Sequence, residues 1–325
     1  MARAVVFAYH DVGVRCLKVL LAHGVEVPLV VTHRDNPSES IFFHSVAATA
    51  RDYGIEAIAP DDPNDAATLE RVAACRPDFL FSFYFRQMLK PALLAAPARG
   101  AFNLHGSLLP RYRGRAPVNW AVLHGERETG ATLHAMTPKP DDGAIVDQQA
   151  VPILPDDTAG EVFAKVTLAA EIVLDRCLPA LVAGTATLRP QDKALASYFG
   201  GRKPEDGRID WSAGARRVHD LVRAVAPPYP GAFTRAGGHV LRNLRTLHAP
   251  AAPPSSPSSP STASAAAPPP ATAPVAASLY ARDGALYARC GDGGVLRVLA
   301  AELDGQPLDA DALVRRFGGA LTPDP

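Results

Sequence analysis

Residues 1–32 read MARAVVFAYHDVGVRCLKVLLAHGVEVPLVVT, and this stretch decides the fold. Ala4 to Ala8 is a short apolar run with the character of a strand covered on both faces. From Val14 to His23 the period changes. Val14, Leu17, Leu20 and Leu21 recur at helical spacing, and Gly24 supplies the stop. Val27 to Thr32 is a second apolar run. A strand, a helix and a strand in this order form a βαβ unit, in which the helix carries the chain back so that the strands lie parallel.

The alternation continues outward. A helix is predicted through Phe42, Val46 and Ala50, then a strand from Ile55 to Ala59 and a helix from Ala66 to Ala74. Asp78 to Phe83 and Ala101 to Leu104 supply two more strands, and Val118, Trp120 and Val122 mark a further helix. Thr129 to Met136 and Ala144 to Ile153 read as strands on either side of the polar turn PKPDDG. Thr158 and Glu161 make a capping-box pattern that opens a long helix with Val162, Val166, Ala169, Val173 and Cys177 on one face, ending near Gly184. The expected fold class is α/β, an open, mostly parallel Rossmann-like sheet over residues 1–187.

Residues 188–207 are expected to connect this domain to a smaller one, 208–325. There, short runs at Ala232 to Thr234, His239 to Leu247, Ser278 to Ala281, Leu286 to Cys290 and Val295 to Leu299 are punctuated by RDG and GDGG. Short strands with glycine-rich turns predict a small OB-like β barrel. The stretch from about 249 to 277, APAAPPSSPSSPSTASAAAPPPATAPVAA, is too poor in large apolar residues to build a core, so it is expected to be a disordered insertion.

Of the 325 residues, 47% are apolar and 20% charged, with 33 basic and 33 acidic side chains. A zero net charge weighs against a partner recognised by broad electrostatic attraction, nucleic acid above all. Cys16, Cys75, Cys177 and Cys290 lie far apart and form no CxxC pair, so neither a metal cage nor a disulfide framework is expected. The N-terminus lacks a signal-peptide pattern, and no apolar run reaches the ~18 residues of a membrane span. The expected location is the cytoplasm, with no membrane partner. The first turn, YHDVG, lacks the G-x-G-x-x-G series, so dinucleotide binding is not supported.

Ligands of open α/β sheets bind beyond the carboxyl ends of the strands, which directs attention to the residues after Phe83 and Leu104. Phe102 to Pro117 reads FNLHGSLLPRYRGRAP. Asn103 and His105, two residues apart at a strand end, project to one side. An amide donor can stabilise an oxyanion and an imidazole can move a proton, the needs of acyl transfer. A purely structural hydrogen-bonded pair has the same spacing. Arg111, Arg113 and Arg115 could hold an anion or simply form a solvated basic loop. Asp141 precedes the turn signal Asp142-Gly143, and local rules give it a turn role.

These segments resemble the folate-dependent formyltransferases, a family that includes methionyl-tRNA formyltransferase and several sugar-nucleotide N-formyltransferases. The likeness runs from FAYHDVG through FNLHGSLLPRYRGRAPVNW and DDGAIVDQ to RKPEDGRIDW. It implies an enzyme in which Asn103, His105 and Asp141 are the catalytic trio and 10-formyltetrahydrofolate is the formyl donor. Gln87, Met88, Leu89, Arg115 and the loop Thr137, Pro138, Lys139, Pro140 and Asp141 would bind the folate, largely through backbone. No metal is implied.

Within the family, FAYHDVG, THRDNPSES, FSFYFRQ, HGSLLPRYRGRAPVNW and VRAVAPPYPGAF are most similar to formyltransferases of the lipid A aminoarabinose pathway. That similarity implies a UDP-linked amino sugar, UDP-4-amino-4-deoxy-L-arabinose, as the acceptor. Many such relatives carry a C-terminal dehydrogenase domain, and this chain is expected to hold only the formylation half. Methionyl-tRNA formylation is the enzymatic alternative, and a non-catalytic folate or nucleotide-binding protein the alternative of another class.

Overall fold

The computed structural model describes residues 1–37, 39, 41–249 and 276–324. The expected insertion at about 249–277 lies almost wholly outside the described residues. The chain divides into two compact units, residues 1–121 with 126–202 and residues 122–125 with 203–325.

The elements up to residue 202 are β1 (Arg3–Ala8), α1 (His10–Ala22), β2 (Glu26–Val31), α2 (Val46–Asp52), β3 (Glu56–Ile58), α3 (Ala66–Ala74), β4 (Phe79–Phe83), α4 (Pro91–Leu94), β5 (Ala101–His105), β6 (Arg113–Gly114), α5 (Pro117–Leu123), β7 (Glu128–Ala135), β8 (Ile145–Pro152), α6 (Ala159–Ala183) and β9 (Tyr198–Phe199). Seven strands form one sheet in the order β3-β2-β1-β4-β5-β7-β8. The first five run parallel, β7 runs against them, and β8, antiparallel to β7, returns to their direction. The sheet is therefore mostly parallel, as the opening βαβ unit requires. Strands β1 and β4 are buried along nearly their whole length, which is why they read as continuous apolar runs. On one face, Val5, Phe7, Leu29, Val31 and Leu80 pack with Val72 of α3 and Leu93 of α4. The strand order reverses between β1 and β4, and that reversal opens a crevice at their carboxyl ends.

Helix α6 begins with the expected capping box. The Thr158 hydroxyl accepts from Glu161 N at 3.3 Å, and the Glu161 carboxylate accepts from Thr158 N at 2.7 Å. Gly184 ends the helix in the left-handed region, φ 72°, where glycine carries no steric cost. One helix starts later than expected. The apolar spacing predicts a helix through Phe42, but α2 begins at Val46, capped by Ser45, whose hydroxyl accepts from Ala48 N. The Asp11 carboxylate holds His44 through its backbone N–H at 2.9 Å and its Nδ1 at 2.7 Å. That tether ends the helix and leaves Phe42 and Phe43 to pack against His10.

The second unit contains α7 (Ala215–Ala224), β10 (Ala232–Ala236), β11 (His239–His248), β12 (Ser278–Arg282), β13 (Ala285–Arg289), β14 (Val295–Leu303), β15 (Gln306–Pro307), α8 (Ala310–Phe317) and β16 (Ala320–Leu321). Its strands order as β10-β11-β14-β13-β12-β16, all neighbours antiparallel, in a nearly closed, barrel-like sheet. Leu241, Leu279, Leu286, Leu296 and Leu303 fill it, together with Val218 and Val222 of α7 and Leu313 of α8. Helices α7 and α8 were not expected from the sequence. In ARRVHDLVRA the apolar stripe is thin, and the buried face includes His219, Asp220 and Arg223, the last two paired with each other at 2.7 Å. Among the described residues, no helix is long and apolar enough to cross a membrane.

Candidate active site

Strand β5 presents Asn103 and His105, and its antiparallel neighbour β7 places His134 directly opposite Asn103. The His134 Nδ1–H donates to the Ala135 carbonyl at 2.9 Å, which leaves Nε2 to accept from the Asn103 side-chain amide at 3.2 Å. That contact fixes which end of the Asn103 amide is nitrogen. One amide N–H is engaged, and among the described residues the other has no hydrogen-bond partner.

His105 is 7% exposed, and its Nε2–H donates to the Tyr112 carbonyl at 2.8 Å. Its Nδ1 therefore faces Asp141, whose Oδ1 lies 3.5 Å from it and 3.5 Å from His134 Nε2. The other carboxylate oxygen accepts the Gly114 N–H at 2.8 Å. Burial works to raise the Asp141 pKa, but the neighbouring His105 and the Gly114 amide outweigh it and hold the carboxyl well below its usual range. Asp141 is thus a buried, ionised group between two imidazoles. It also takes the turn role that local rules assign to it, at φ 53°, a region aspartate tolerates better than most residues.

The loop bearing Asp141 is tied down by a residue that sequence reasoning missed. The Gln191 side-chain amide donates to the Asp141 carbonyl at 2.8 Å and to the Gly143 carbonyl at 2.7 Å, while its oxygen accepts from Arg113 Nη2 at 2.7 Å. Gln191 lies in the stretch expected to be a connection. There β9 pairs in parallel with β6, and Arg189 pairs with Ile145. Arg113, one of three arginines with anion-binding potential, is instead buried at 5% exposure and paired with Asp142. Arg111 pairs with Glu126. Arg115 is exposed and, among the described residues, is the one of the three without an ion pair. His134 was missed as well, because only the β5–β7 register brings it to Asn103.

Two of the expected folate segments begin from one apolar cluster. Leu89, after β4, and Met136, after β7, belong to the same apolar cluster, so the two halves of the proposed cradle are neighbours. Leu89 is 2% exposed, and its side chain serves the core. Asn64 shapes this turn, donating to the Met88 carbonyl at 3.0 Å and accepting from Lys90 N at 2.7 Å. Gln87 donates to the Asp61 carbonyl at 3.0 Å, and beside it Met88 is 52% exposed. In the second segment the Thr137 hydroxyl donates to the Lys139 carbonyl at 2.8 Å, folding Thr137 to Pro140 into a compact turn before Asp141. Among the described residues, no group of three or more His, Cys, Asp or Glu side chains could hold a metal ion.

Residues 15–178 match the family model described as formyl transferase, and residues 202–318 match that of the formyl transferase C-terminal domain. The chain belongs to the formyl transferase family. This formyltransferase is therefore an enzyme of formyl-group transfer, with both family domains in place. Among solved structures it is similar to an N-formyltransferase from Helicobacter canadensis in complex with folinic acid and dTDP-3-aminofucose, at 17% identity and a TM-score of 0.68, covering 95% of this chain and 100% of that one. It is also similar to WlaRD, a sugar 3N-formyl transferase in the presence of dTDP and 5-N-formyl-THF, at 18% identity and a TM-score of 0.66, covering 95% and 98%. Methionyl-tRNA formyltransferase from Clostridium thermocellum matches at 16% identity and a TM-score of 0.53, covering 76% and 93%. At these identities the likeness concerns the fold.

Proposed function

We propose that this formyltransferase moves the formyl group of 10-formyltetrahydrofolate onto the 4-amino group of UDP-4-amino-4-deoxy-L-arabinose, giving the UDP-4-formamido sugar and tetrahydrofolate. The step would belong to lipid A modification and the resistance to cationic peptides that it confers. The observation that carries the chemistry is the ionised Asp141 held between His105 and His134, with His134 orienting Asn103.

In this reading Asn103 gives its free N–H to the formyl oxygen as that oxygen gains charge, the task of an oxyanion donor. The amine nitrogen forms the new C–N bond, and the bond from the formyl carbon to the donor nitrogen breaks. The proton lost by the amine is balanced by one gained at the leaving nitrogen. His105 supplies or relays it through Nδ1, because its Nε2–H is committed to a backbone carbonyl. Asp141 keeps that nitrogen facing an anion. Gln87 to Leu89, Arg115 and Thr137 to Asp141 would hold the folate, Arg115 with its unpaired charge toward a carboxylate. Both substrates are soluble metabolites, and the reading places the enzyme in the cytoplasm.

An amino-sugar acceptor is supported by the motifs shared with the aminoarabinose enzymes and by the two sugar N-formyltransferases matched over 95% of this chain. Methionyl-tRNA is disfavoured by a net charge of zero, since phosphate contacts demand a basic surface and bring strong salt dependence. The test is mass spectrometry of UDP-4-amino-4-deoxy-L-arabinose incubated with enzyme and folate donor, run beside charged initiator tRNA. A formyl mass gain on the sugar is expected. Preferential formylation of the tRNA would overturn the acceptor assignment, and tetrahydrofolate release with neither would overturn both acceptors. Folate binding without release would favour a non-catalytic binding protein.

A further inference from the structure

His10 opens α1 two residues past the end of β1, in the left-handed region at φ 67°, on the rim of the crevice where the strand order reverses. Its imidazole is boxed in by rings. The Phe43 centroid lies 3.9 Å away, Phe163 stands edge-on at 4.6 Å and Phe42 at 5.3 Å, and Tyr84 closes the far side at 6.4 Å. Inside this box, His10 Nδ1 is buried and has no hydrogen-bond partner among the described residues. Burial, with a smaller push from Arg86 and against the pull of Asp11, holds the ring's pKa down at about 4, so the imidazole is uncharged at neutral pH. Buried polar atoms are ordinarily paired, so one that is not has room for a partner supplied by a bound group.

The pocket adjoins the chemistry. A Cβ on Gly106, the residue after His105, would lie 1.9 Å from the Tyr84 hydroxyl, so the ring that closes the pocket also packs on the catalytic strand's end. Strands β1, β4 and β5 are neighbours in register, Ala8 beside Phe83 and Phe83 beside Leu104. Their ends are thus two strand spacings apart, roughly 10 Å, a gap that one sugar ring with its substituents bridges. Phe42 and Ile41, 43% and 39% exposed, form an apolar lip.

We infer that this aromatic box is the subsite for the sugar ring of the acceptor: the apolar C–H face of the ring packs against Phe42 and Phe43, and a ring hydroxyl hydrogen-bonds to His10 Nδ1. The inference rests on the amino-sugar reading above. An uncharged box of rings suits the sugar and not its diphosphate, and a hydroxyl can either donate or accept, whichever tautomer His10 adopts.

The test is steady-state kinetics of the full chain with UDP-4-amino-4-deoxy-L-arabinose and 10-formyltetrahydrofolate, varying each in turn. His10→Asn keeps a side chain that tolerates positive φ but cannot reach as far. Its acceptor KM should rise about tenfold, equivalent to about 1.4 kcal/mol, while the donor KM stays within about twofold of wild type. Phe42→Ala, at an exposed position that folding tolerates, should raise the acceptor KM by roughly threefold to tenfold, and Phe42→Trp should restore it. An acceptor KM unmoved in both His10→Asn and Phe42→Ala on an active enzyme overturns the subsite and leaves the sugar reading standing, as does a donor KM that rises in parallel. A wild-type enzyme inert toward amino-sugar nucleotides overturns the sugar reading and the subsite with it.

Discussion

Replacing Asp141 by asparagine removes one charge while keeping the shape of the side chain and its tolerance of φ 53°. The Gly114 N–H, now 2.8 Å from Oδ2, can still be met by the amide oxygen. The amide nitrogen then faces His105 Nδ1 in place of an anion at 3.5 Å. A proton passing through Nδ1 would then point at another N–H, so the anion that faces and orients it is gone. General acid–base catalysis contributes about 10²–10⁴ in rate, so kcat should fall by that factor, or roughly 3–5 kcal/mol of barrier. Tetrahydrofolate release followed across pH is the assay, with the acid limb of the profile expected to change.

Stability supplies a second reading of the same variant. The native Asp141 carboxyl is held below its ordinary range, so it contributes stability above about pH 4 that is lost as pH falls through the lower native value. Wild type and Asp141→Asn should therefore differ in urea unfolding at pH 7, by about 2 kcal/mol for hydrogen bonds to a charged group, and converge in acid. Wild-type turnover with an unchanged pH profile in the variant would refute the electrostatic role derived for Asp141.

Gln191→Ala unties the Asp141 and Gly143 carbonyls, 2.8 and 2.7 Å from its amide, and should lower kcat about tenfold, with a stability loss of about 1–3 kcal/mol from the groups left unpaired; kinetics and chemical denaturation check it, and unchanged kcat would mean that the loop holds its shape without the tie. Gly106→Ala sets a Cβ 1.9 Å from the Tyr84 hydroxyl beside His105, so activity should drop sharply, and adding Tyr84→Phe should restore part of it, because the ring carbon behind the hydroxyl still lies 2.9 Å away. Thr158→Ala removes the α6 capping box and should cost about 1 kcal/mol, or about 2–4 °C in Tm by calorimetry, with kcat unchanged.

Unaided, local rules recover what local forces control. The apolar runs of β1 and β4, the Thr158–Glu161 box and the Gly184 stop each depend on residues within a few positions of one another, and all appear where the sequence places them. The start of α2 was misplaced because Asp11, far off in sequence, holds His44, and α7 was missed because its buried face is partly charged and neutralised only on folding.

The site divides in the same way. Asn103 and His105 were legible because a two-residue spacing on a strand is enough to align them. By local rules Asp141 was a turn residue, and its electrostatic character appears only when the β7 end, Gly114 and His105 meet around it. His134, Gln191 and the box around His10 leave no mark in local sequence. Each depends on a register or a crossing between segments distant along the chain, so their neighbours are chosen by the sheet and not by the residues beside them. The sequence alone determined the sheet and the pair on β5, since period and spacing are local quantities. Only tertiary structure decided which groups charge, orient and enclose that pair, because burial and electrostatic neighbourhood are properties of the folded chain.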